Sequence, residues 1–398
     1  MRARSPSNEA GAERQLPKGG VLNPREGTPT RASPVRLLTL CVVLGLASAC
    51  GLRGAAPEAQ GLPPAAVTRP TTGTAAAPTA VDPSLPWYAW ETPPAPAPAS
   101  ASQVARLLAL IAPPPAPPAF RLPSGTLPPV SSPASGWLPD HRLVAYYGNP
   151  LSPSMGVLDW YAPDVMISKL EAQAAAYQTA DPLVPVVPVL DLVADVAQGS
   201  PQPDHTYRMR MPYSLIAQEL ALARDHRMLL MLEIQVGRSS VQAELPYFEP
   251  FLSQPDVEVA LDPEFAMPKG ERPGVQIGTL SAEDINWSIR YVAGLVARYH
   301  LPPKVFVVHQ FRQDMVPDWR GISLVPGIQF VMDTDGYGGQ QVKLSNYRSF
   351  ITDQPIPPVR YGGIKLFYKY DAPPWGNGLL TPAQVLALDP PPSLIIYQ

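Results

Sequence analysis

Cysteine is almost absent from this chain of 398 residues, which contains only Cys41 and Cys50. No residue after position 50 therefore carries a thiol. Zinc sites of the Cys/His type, cysteine nucleophiles and disulfide frameworks all depend on thiols. The sequence excludes these three chemistries from everything that follows Cys50.

Basic runs and nucleotide-binding motifs are also missing. The chain has 30 Lys and Arg against 33 Asp and Glu, which gives a formal net charge of -3. Proteins that bind nucleic acids carry clustered positive charge, and no such cluster is present. The glycine-rich run 336–339 lacks the lysine of a phosphate-binding loop, and the serine pair 239–240 lacks the glycines of a nucleophile elbow. The sequence predicts no nucleic-acid partner and no cofactor.

No hydrophobic run is long enough to span a bilayer. The apolar run 37–50, LLTLCVVLGLASAC, is preceded by Arg31 and Arg36. A transmembrane helix needs about 20 apolar residues, whereas a secretory signal needs about 7–15 behind a positively charged region. The run ends in Ala47-Ser48-Ala49-Cys50, which resembles a lipobox, the processing site of bacterial lipoproteins.

The lipobox resemblance implies that residues 1–50 are a signal peptide and that Cys50 carries lipid, including palmitate, after cleavage. The chain would then be a lipoprotein, anchored in the cell membrane and exposed outside the cytoplasm in the cell envelope. Residues 51–136 are rich in proline and alanine. Proline disrupts helices and sheet ladders, so this stretch predicts a disordered tether. We expect the apolar patch 104–111 within it to dock on the following domain.

Residues 137–398 have a globular composition, and strand-like and helix-like segments alternate along them. Continuous apolar runs such as 305–308 are typical of parallel strands that are buried on both faces. Eight strands alternating with helices over this length predict a (β/α)8 TIM barrel. An open doubly wound sheet is the alternative, but 147–150 is not the phosphate turn expected after its first strand. The predicted strands are 143–148, 186–192, 228–235, 257–262, 305–310, 328–333, 363–370 and 394–397. The predicted helices are 164–178, 213–226, 241–253 (interrupted by Pro246 and Pro250), 282–300, 312–322, 341–351 and 382–388.

Polar residues follow most of the predicted strands. Active sites of (β/α)8 barrels lie at the C-terminal ends of the strands, so these residues are site candidates. A cluster of buried carboxylates also raises some of their pKa values, which is typical of catalytic sites. Ion pairs with Arg208, Arg210 or Lys365, or helix capping, are the structural alternative. The candidates are Asp191, Glu233, Asp262, Glu264, His309, Asp333 and Asp335, with Lys369 or Asp371 after the seventh strand. Aromatic residues that could stack on sugar rings are Tyr147, Trp160, Tyr337, Tyr368 and Trp375.

The sharpest local motif is Asp262-Pro263-Glu264 after the predicted fourth strand. It resembles the end of the D-x-x-D-x-D-x-E motif of family 18 glycoside hydrolases, which are chitinase-like barrels. The resemblance implies that Glu264 is the acid and that Asp262 orients an acetamido group. Val257 and Ala260 stand where that family has its two earlier aspartates. More generally, the chain looks like the barrel lipoproteins of bacterial envelopes that are similar to glycoside hydrolases.

Three functions are compatible with the sequence. The first is a cell-envelope glycoside hydrolase that acts on wall or extracellular polysaccharide, with Glu264 as proton donor and Asp262 and Asp333 or Asp335 as electrostatic partners. Asp371 could replace the glutamate that retaining barrels often place after the seventh strand. The second is a barrel that binds a glycan or a protein without catalysis. The third is a metal-dependent enzyme in which His309 joins Asp262, Glu233 and Asp333, although the sequence has no closely spaced histidine pair.

Overall fold

A computed structural model describes residues 120–354 and 361–398. The predicted signal peptide 1–50, with Cys50, lies outside these residues. So does most of the predicted tether, including the patch 104–111 that we expected to dock. None of the helices that the structure describes is long and apolar enough to cross a membrane.

Within the described ranges, nine strands belong to one sheet. They are β1 Arg142–Gly148, β2 Val186–Ala197, β3 Arg208–Arg210, β4 Leu229–Ile234, β5 Val257–Leu261, β6 Lys304–Gln310, β7 Ile328–Thr334, β8 Tyr361–Leu366 and β9 Leu394–Tyr397. All neighbouring pairs are parallel except β2 and β3. Because β1 pairs with both β2 and β9, the eight parallel strands close on themselves. The predicted (β/α)8 barrel is confirmed, and the open sheet is excluded.

The barrel strands form where apolar runs are buried on both faces. All seven residues of β6 are buried, because one face fills the barrel interior and the other lies under the helices. The prediction for β2 was too short, since β2 continues beyond residue 192 and its far end pairs antiparallel with β3. The prediction 363–370 was too long. β8 ends at Leu366, where the carboxylate of Asp371 accepts a hydrogen bond from the backbone N–H of Phe367 (2.8 Å) and turns the chain.

Helices cover the outside of the barrel between the strands. They are α1 Pro163–Ala180, α2 Tyr213–Asp225, α3 Val241–Glu244, α4 Glu249–Leu252, α5 Ala282–Tyr299, α6 Gln340–Tyr347 and α7 Pro382–Leu386. The proline interruption is confirmed, since a 3-10 segment at Leu245–Phe248 separates α3 from α4. The helix predicted over 312–322 is wrong. Two single 3-10 turns stand there instead, at Gln313–Met315 and Trp319–Gly321.

The segment 120–138 crosses the end of the barrel where the strands begin. Val130 donates its backbone N–H to the carboxylate of Asp256 (3.1 Å), which directly precedes β5. The side chain of Gln329, at the start of β7, accepts from the N–H of Leu138 (3.1 Å) and donates to its carbonyl (2.6 Å). At the other end of the segment, Phe120 packs edge-on against Phe251, with ring centroids 4.4 Å apart. Residues 120–136, which we assigned to the tether, therefore lie against the barrel.

Candidate active site at the barrel mouth

The C-terminal ends of the strands surround a cavity of about 450 Å³. This is the end of the barrel where enzymes with this fold carry their active sites. Its wall mixes carboxylates, a lysine and aromatic rings, so polar and apolar groups converge on one space. Five of the predicted site residues line it: Tyr147, Asp262, Glu264, Asp335 and Tyr337.

The carboxylates of Asp262, Glu264 and Asp335 meet in this cavity. One oxygen atom of each lies within 4.8 Å of the other two. Asp262 directly follows β5, and its Oδ1 accepts a hydrogen bond from the backbone N–H of Glu264 (3.0 Å). That bond caps the 3-10 turn Pro263–Phe265, which carries Glu264 to the cavity wall. The short Asp-Pro-Glu spacing thus places both carboxyls at one strand end.

Burial raises the pKa of all three carboxyl groups. Burial and the negative charge of Asp335 raise the pKa of Glu264 to about 7, although the positive charge of Lys365 opposes this rise. Burial also raises the pKa of Asp262 well above its usual range, with Glu233 and Glu264 adding to the effect. At neutral pH a large fraction of Glu264 is therefore protonated, which is the form a general acid requires.

His309 lies inside the barrel, fully buried, between carboxylates from two other strands. Its Nε2 is 3.2 Å from Oε2 of Glu233, and its Nδ1 is 3.0 Å from Oδ2 of Asp333 and 3.9 Å from Oδ2 of Asp335. Burial alone would lower the pKa of His309, but Glu233 and Asp333 outweigh it and raise the pKa well above the usual value. His309 is therefore an imidazolium at neutral pH.

The positive charges of His309 and Lys365 act in turn on Glu233. Burial would raise the pKa of Glu233, but His309 and Lys365 together lower it to about 2. Asp191 is equally buried, and neither of its carboxylate oxygens has a hydrogen-bond partner among the described residues. Burial and the nearby charge of Glu233 raise the pKa of Asp191 well above its usual range, which favours its protonated form.

Four predicted site residues are therefore held in the barrel interior rather than in the cavity wall. Asp191, Glu233, His309 and Asp333 have no exposed surface and do not line the cavity. Glu233 and His309 act on the cavity carboxyls Asp262, Glu264 and Asp335 through their charges. For Asp191, Glu233 and His309, direct contact with a substrate stays a prediction that this placement does not favour.

Lys365 is the buried cation of the cavity wall. Its Nζ lies 3.6 Å from the centroid of the Tyr147 ring. Burial alone would lower the pKa of Lys365, but the negative charges of Glu233 and Asp335 outweigh it and raise the pKa. Gln235 connects the two sides of the site, since its Nε2 donates to the hydroxyl of Tyr147 (3.2 Å) and to Oδ2 of Asp262 (3.4 Å). Tyr147 is held in place by contacts on both its ring and its hydroxyl.

The remaining predicted aromatic residues lie around the mouth. Tyr337 lines the cavity and is 53% exposed, and its ring is 5.4 Å from that of Tyr370. Trp375, 52% exposed, continues this row at 6.4 Å from Tyr370. Trp160 and Tyr368 contact each other at 5.9 Å and do not line the cavity.

Four of the charged residues that the sequence offered as partners or nucleophiles lie outside the cavity wall. Asp371 pairs with the buried Lys343 (3.2 Å) and accepts two backbone N–H groups, so it fixes the loops after β7 and β8. Arg208 and Arg210 both pair with Glu244, at 2.9 and 2.7 Å. Lys369 is exposed. None of these four lines the cavity.

Several residues of the cavity wall were not selected from the sequence. Lys365 could have been, because a lysine in the apolar run Gly363–Leu366 of β8 must find buried partners. The rings of Phe265, Phe311 and Phe367 and the amide of Asn346 gave no such signal. Apolar or neutral residues are common in loops, turns and helices throughout proteins, and only the folded chain brings these four to the same cavity.

No protein-family model matches this sequence, and neither does any curated protein. Among solved structures, the chain is similar to a GH20 β-N-acetylhexosaminidase from Streptomyces coelicolor A3(2), with 10% sequence identity and a TM-score of 0.32. The similarity covers 65% of this chain and 58% of that chain. Roles at the site therefore rest on the geometry of this chain alone.

Proposed function

We propose that this protein is a glycoside hydrolase in which Glu264 donates a proton to the leaving-group oxygen. The observation that carries the proposal is the meeting of Glu264, Asp262 and Asp335 in one cavity at the barrel mouth. Burial keeps Glu264 protonated near neutral pH, with a pKa of about 7. A second carboxylate close to a protonated one is the arrangement that glycoside cleavage uses.

Asp335 is the candidate for the second carboxylate. Burial raises the pKa of Asp335 above its usual value, and the positive charges of His309 and Lys365 oppose this rise and favour the ionised form that a nucleophile or electrostatic partner needs. One carboxylate oxygen of Asp335 lies within 4.8 Å of one carboxylate oxygen of Glu264. Inverting enzymes separate their two carboxyl groups by roughly 6.5–9.5 Å, which leaves room for a water molecule. We therefore propose cleavage with retention. Asp262 positions Glu264 through its backbone N–H.

The proposed substrate is supported by the rings of the cavity wall, and the proposed location by the sequence of the N-terminal region. The rings of Tyr337, Phe311 and Phe265 give the cavity apolar faces on which sugar rings can stack. A lipid on Cys50 and a proline-rich tether would hold the barrel at the cell envelope, where wall or extracellular polysaccharide is available. We propose this location together with the activity.

Glu264→Gln tests the proton donor. The variant keeps the shape of the side chain but cannot release the proton, so we expect kcat/KM on chitin oligomers or glucans to fall by about 10²–10⁴. An aryl glycoside with a good leaving group needs little protonation, so its cleavage should fall much less. Glu283→Gln changes a glutamate in the first turn of α5 and is the matched control.

Three outcomes separate the alternatives. Equal activity of Glu264→Gln and the parent protein on both substrate types would contradict the proposed role. Binding of oligosaccharides without turnover by the parent protein would instead favour a non-catalytic glycan-binding barrel. The anomer released first, read by NMR, distinguishes retention from inversion.

A metal-dependent hydrolase is the second candidate function. Among the described residues, Asp262, Glu264 and Asp335 form the one group with the spacing of metal ligands, and Oδ1 of Asp335 has no hydrogen-bond partner. Three carboxylates suit a hard divalent cation such as Mg²⁺, Mn²⁺ or Ca²⁺. His309 is not in this group, because both of its ring nitrogens face carboxylates. Activity lost on chelation and restored by one of these cations would favour this function.

A further inference from the structure

A second hollow adjoins the candidate active site. It has a volume of about 430 Å³ and is more open to solvent than the first cavity. Phe311 and Asn346 belong to the walls of both. The second hollow continues over Arg312 and Gln313, which follow β6, and over Ser349, which lies in the π-helical turn Arg348–Thr352 that follows α6. The two spaces therefore form neighbouring parts of one cleft.

Gly336 makes the junction between the two spaces possible. A Cβ atom at this position would lie 2.6 Å from Nδ2 of Asn346 and 3.1 Å from Cβ of Phe311. Such distances are too short for any residue larger than glycine unless Asn346 and Phe311 move apart. The absence of a side chain lets these two residues close in on the strand end that carries Asp335. The shared wall is thus tied to the candidate catalytic carboxylate.

The wall of the second hollow mixes polar and apolar groups and is close to electrically neutral. The guanidinium of Arg312 forms two hydrogen bonds to the carboxylate of Asp314, at 2.9 and 2.5 Å, and this pair cancels its charge. Gln313, Ser349 and Asn346 add neutral polar groups. A wall of amides, a hydroxyl and the two aromatic rings of Phe311 and Phe350 suits neutral sugar units better than an acidic ligand.

We propose that the second hollow is a subsite for further sugar units of a neutral polysaccharide chain, so that the enzyme acts on oligomers and polymers rather than on terminal single sugars. This inference rests on the proposed glycoside hydrolase function. The first cavity holds the units around the cleaved bond, and the chain continues past Phe311 and Asn346 into the second hollow. Affinity must then increase with the length of the oligosaccharide.

Blocking the hollow with a large side chain tests this. Ser349→Trp fills the hollow from the π-helical turn after α6, and Gln313→Trp fills it from the 3-10 turn after β6. Either variant can serve alone if the other does not fold. Gln341→Trp makes the same change at an exposed position of α6 outside both walls and is the matched control. Each is combined with Glu264→Gln, so that binding is measured without cleavage. The probes are the disaccharide and the hexasaccharide of chitin and of cellulose, titrated by calorimetry.

For chitin or for cellulose, we expect the Glu264→Gln protein to bind the hexasaccharide at least about tenfold more tightly than the disaccharide of the same polysaccharide. This is a difference of about 1.4 kcal/mol. Both blocking variants should remove this difference and leave disaccharide affinity unchanged, while Gln341→Trp preserves it. Equal affinity for the two lengths, or a length effect that survives both blocking variants, overturns the subsite. Cleavage of aryl glycosides by the parent protein is measured separately, so the proposed function can stand when the subsite fails.

Discussion

Single residues inside the barrel show how buried charges are balanced. His309 is the cation between Glu233 and Asp333, and all three side chains are fully buried. Removing one member of such a group leaves the others without their counter-charge in a medium of low polarity. The stability of the barrel therefore depends on a histidine that does not contact the cavity.

His309→Gln measures this dependence. We expect the free energy of unfolding at neutral pH to fall by about 3–5 kcal/mol, because Glu233 and Asp333 lose their shared cation. Urea denaturation followed by circular dichroism gives the value. His226→Gln alters a partly exposed histidine 3.9 Å from Glu171 and should change stability by less than about 0.5 kcal/mol. A loss at His309 no larger than that at His226 would contradict the charge balance described here.

The pH dependence of activity belongs to the same scale. If Glu264 is the proton donor, kcat/KM falls as the pH rises through about 7, because Glu264 loses its proton there. Asp335 raises the pKa of Glu264, so Asp335→Asn should move this fall to lower pH in whatever activity remains. Asp353→Asn, at an exposed ion pair with Arg348, is the control. An unchanged basic limb in Asp335→Asn would show that the titrating group is not Glu264.

At the scale of elements, the segment 120–138 acts as part of the barrel. Phe120 packs on Phe251 of α4, and Val130 and Leu138 are hydrogen-bonded to side chains at the strand starts. These contacts join a proline-rich stretch to the end of the barrel opposite the cavity. We expect these contacts to stabilise the fold without contributing to the site.

Phe120→Ala tests the contribution of this segment. Phe120 is only half-buried, so we expect a loss of about 1–2 kcal/mol in the free energy of unfolding, less than for a fully buried ring. Leu127→Ala removes an apolar side chain of the same segment that is 47% exposed, and should cost less than about 0.5 kcal/mol. Thermal unfolding of both variants provides the comparison. Equal stability of Phe120→Ala and Leu127→Ala would mean that the contact of Phe120 with the barrel does not stabilise the fold.

At the scale of the whole molecule, the proposed anchor and the candidate active site belong to opposite ends of the barrel. The segment 120–138 reaches the barrel at the strand starts, whereas the cavity lies at the strand ends. A chain tethered through its N-terminal part would therefore be held from the end opposite the active site. The mouth would then be open to polysaccharide.

Cys50→Ala tests the anchor. We expect it to prevent lipid attachment, so that labelled palmitate is no longer incorporated and the protein leaves the membrane fraction. Cys41→Ala changes the other cysteine, within the apolar run, and should leave both labelling and fractionation unchanged. Labelling that persists in Cys50→Ala would exclude this cysteine as the lipidation site.

The sequence by itself determined the eight barrel strands and most of the helices. Runs such as Val305–Val308 are apolar on both faces, as expected of parallel strands that are covered on both sides. It also determined that Asp262 and Glu264 share one strand end, because residues two positions apart in the sequence cannot lie far apart in space. The helix predicted over 312–322 is absent because Pro317 interrupts the segment. Asp318 and Gly321 instead accept hydrogen bonds from the first residues of α5.

The tertiary structure decided which carboxylate joins that pair and which residues lie behind it. Asp333 and Asp335 look equivalent in sequence, yet Asp335 faces the cavity and Asp333 faces His309. Lys365 and Gln235 acquire their roles only from strands that are distant in the chain. Charge balance in a buried site depends on distances between such strands, and those distances exist only once the barrel has closed.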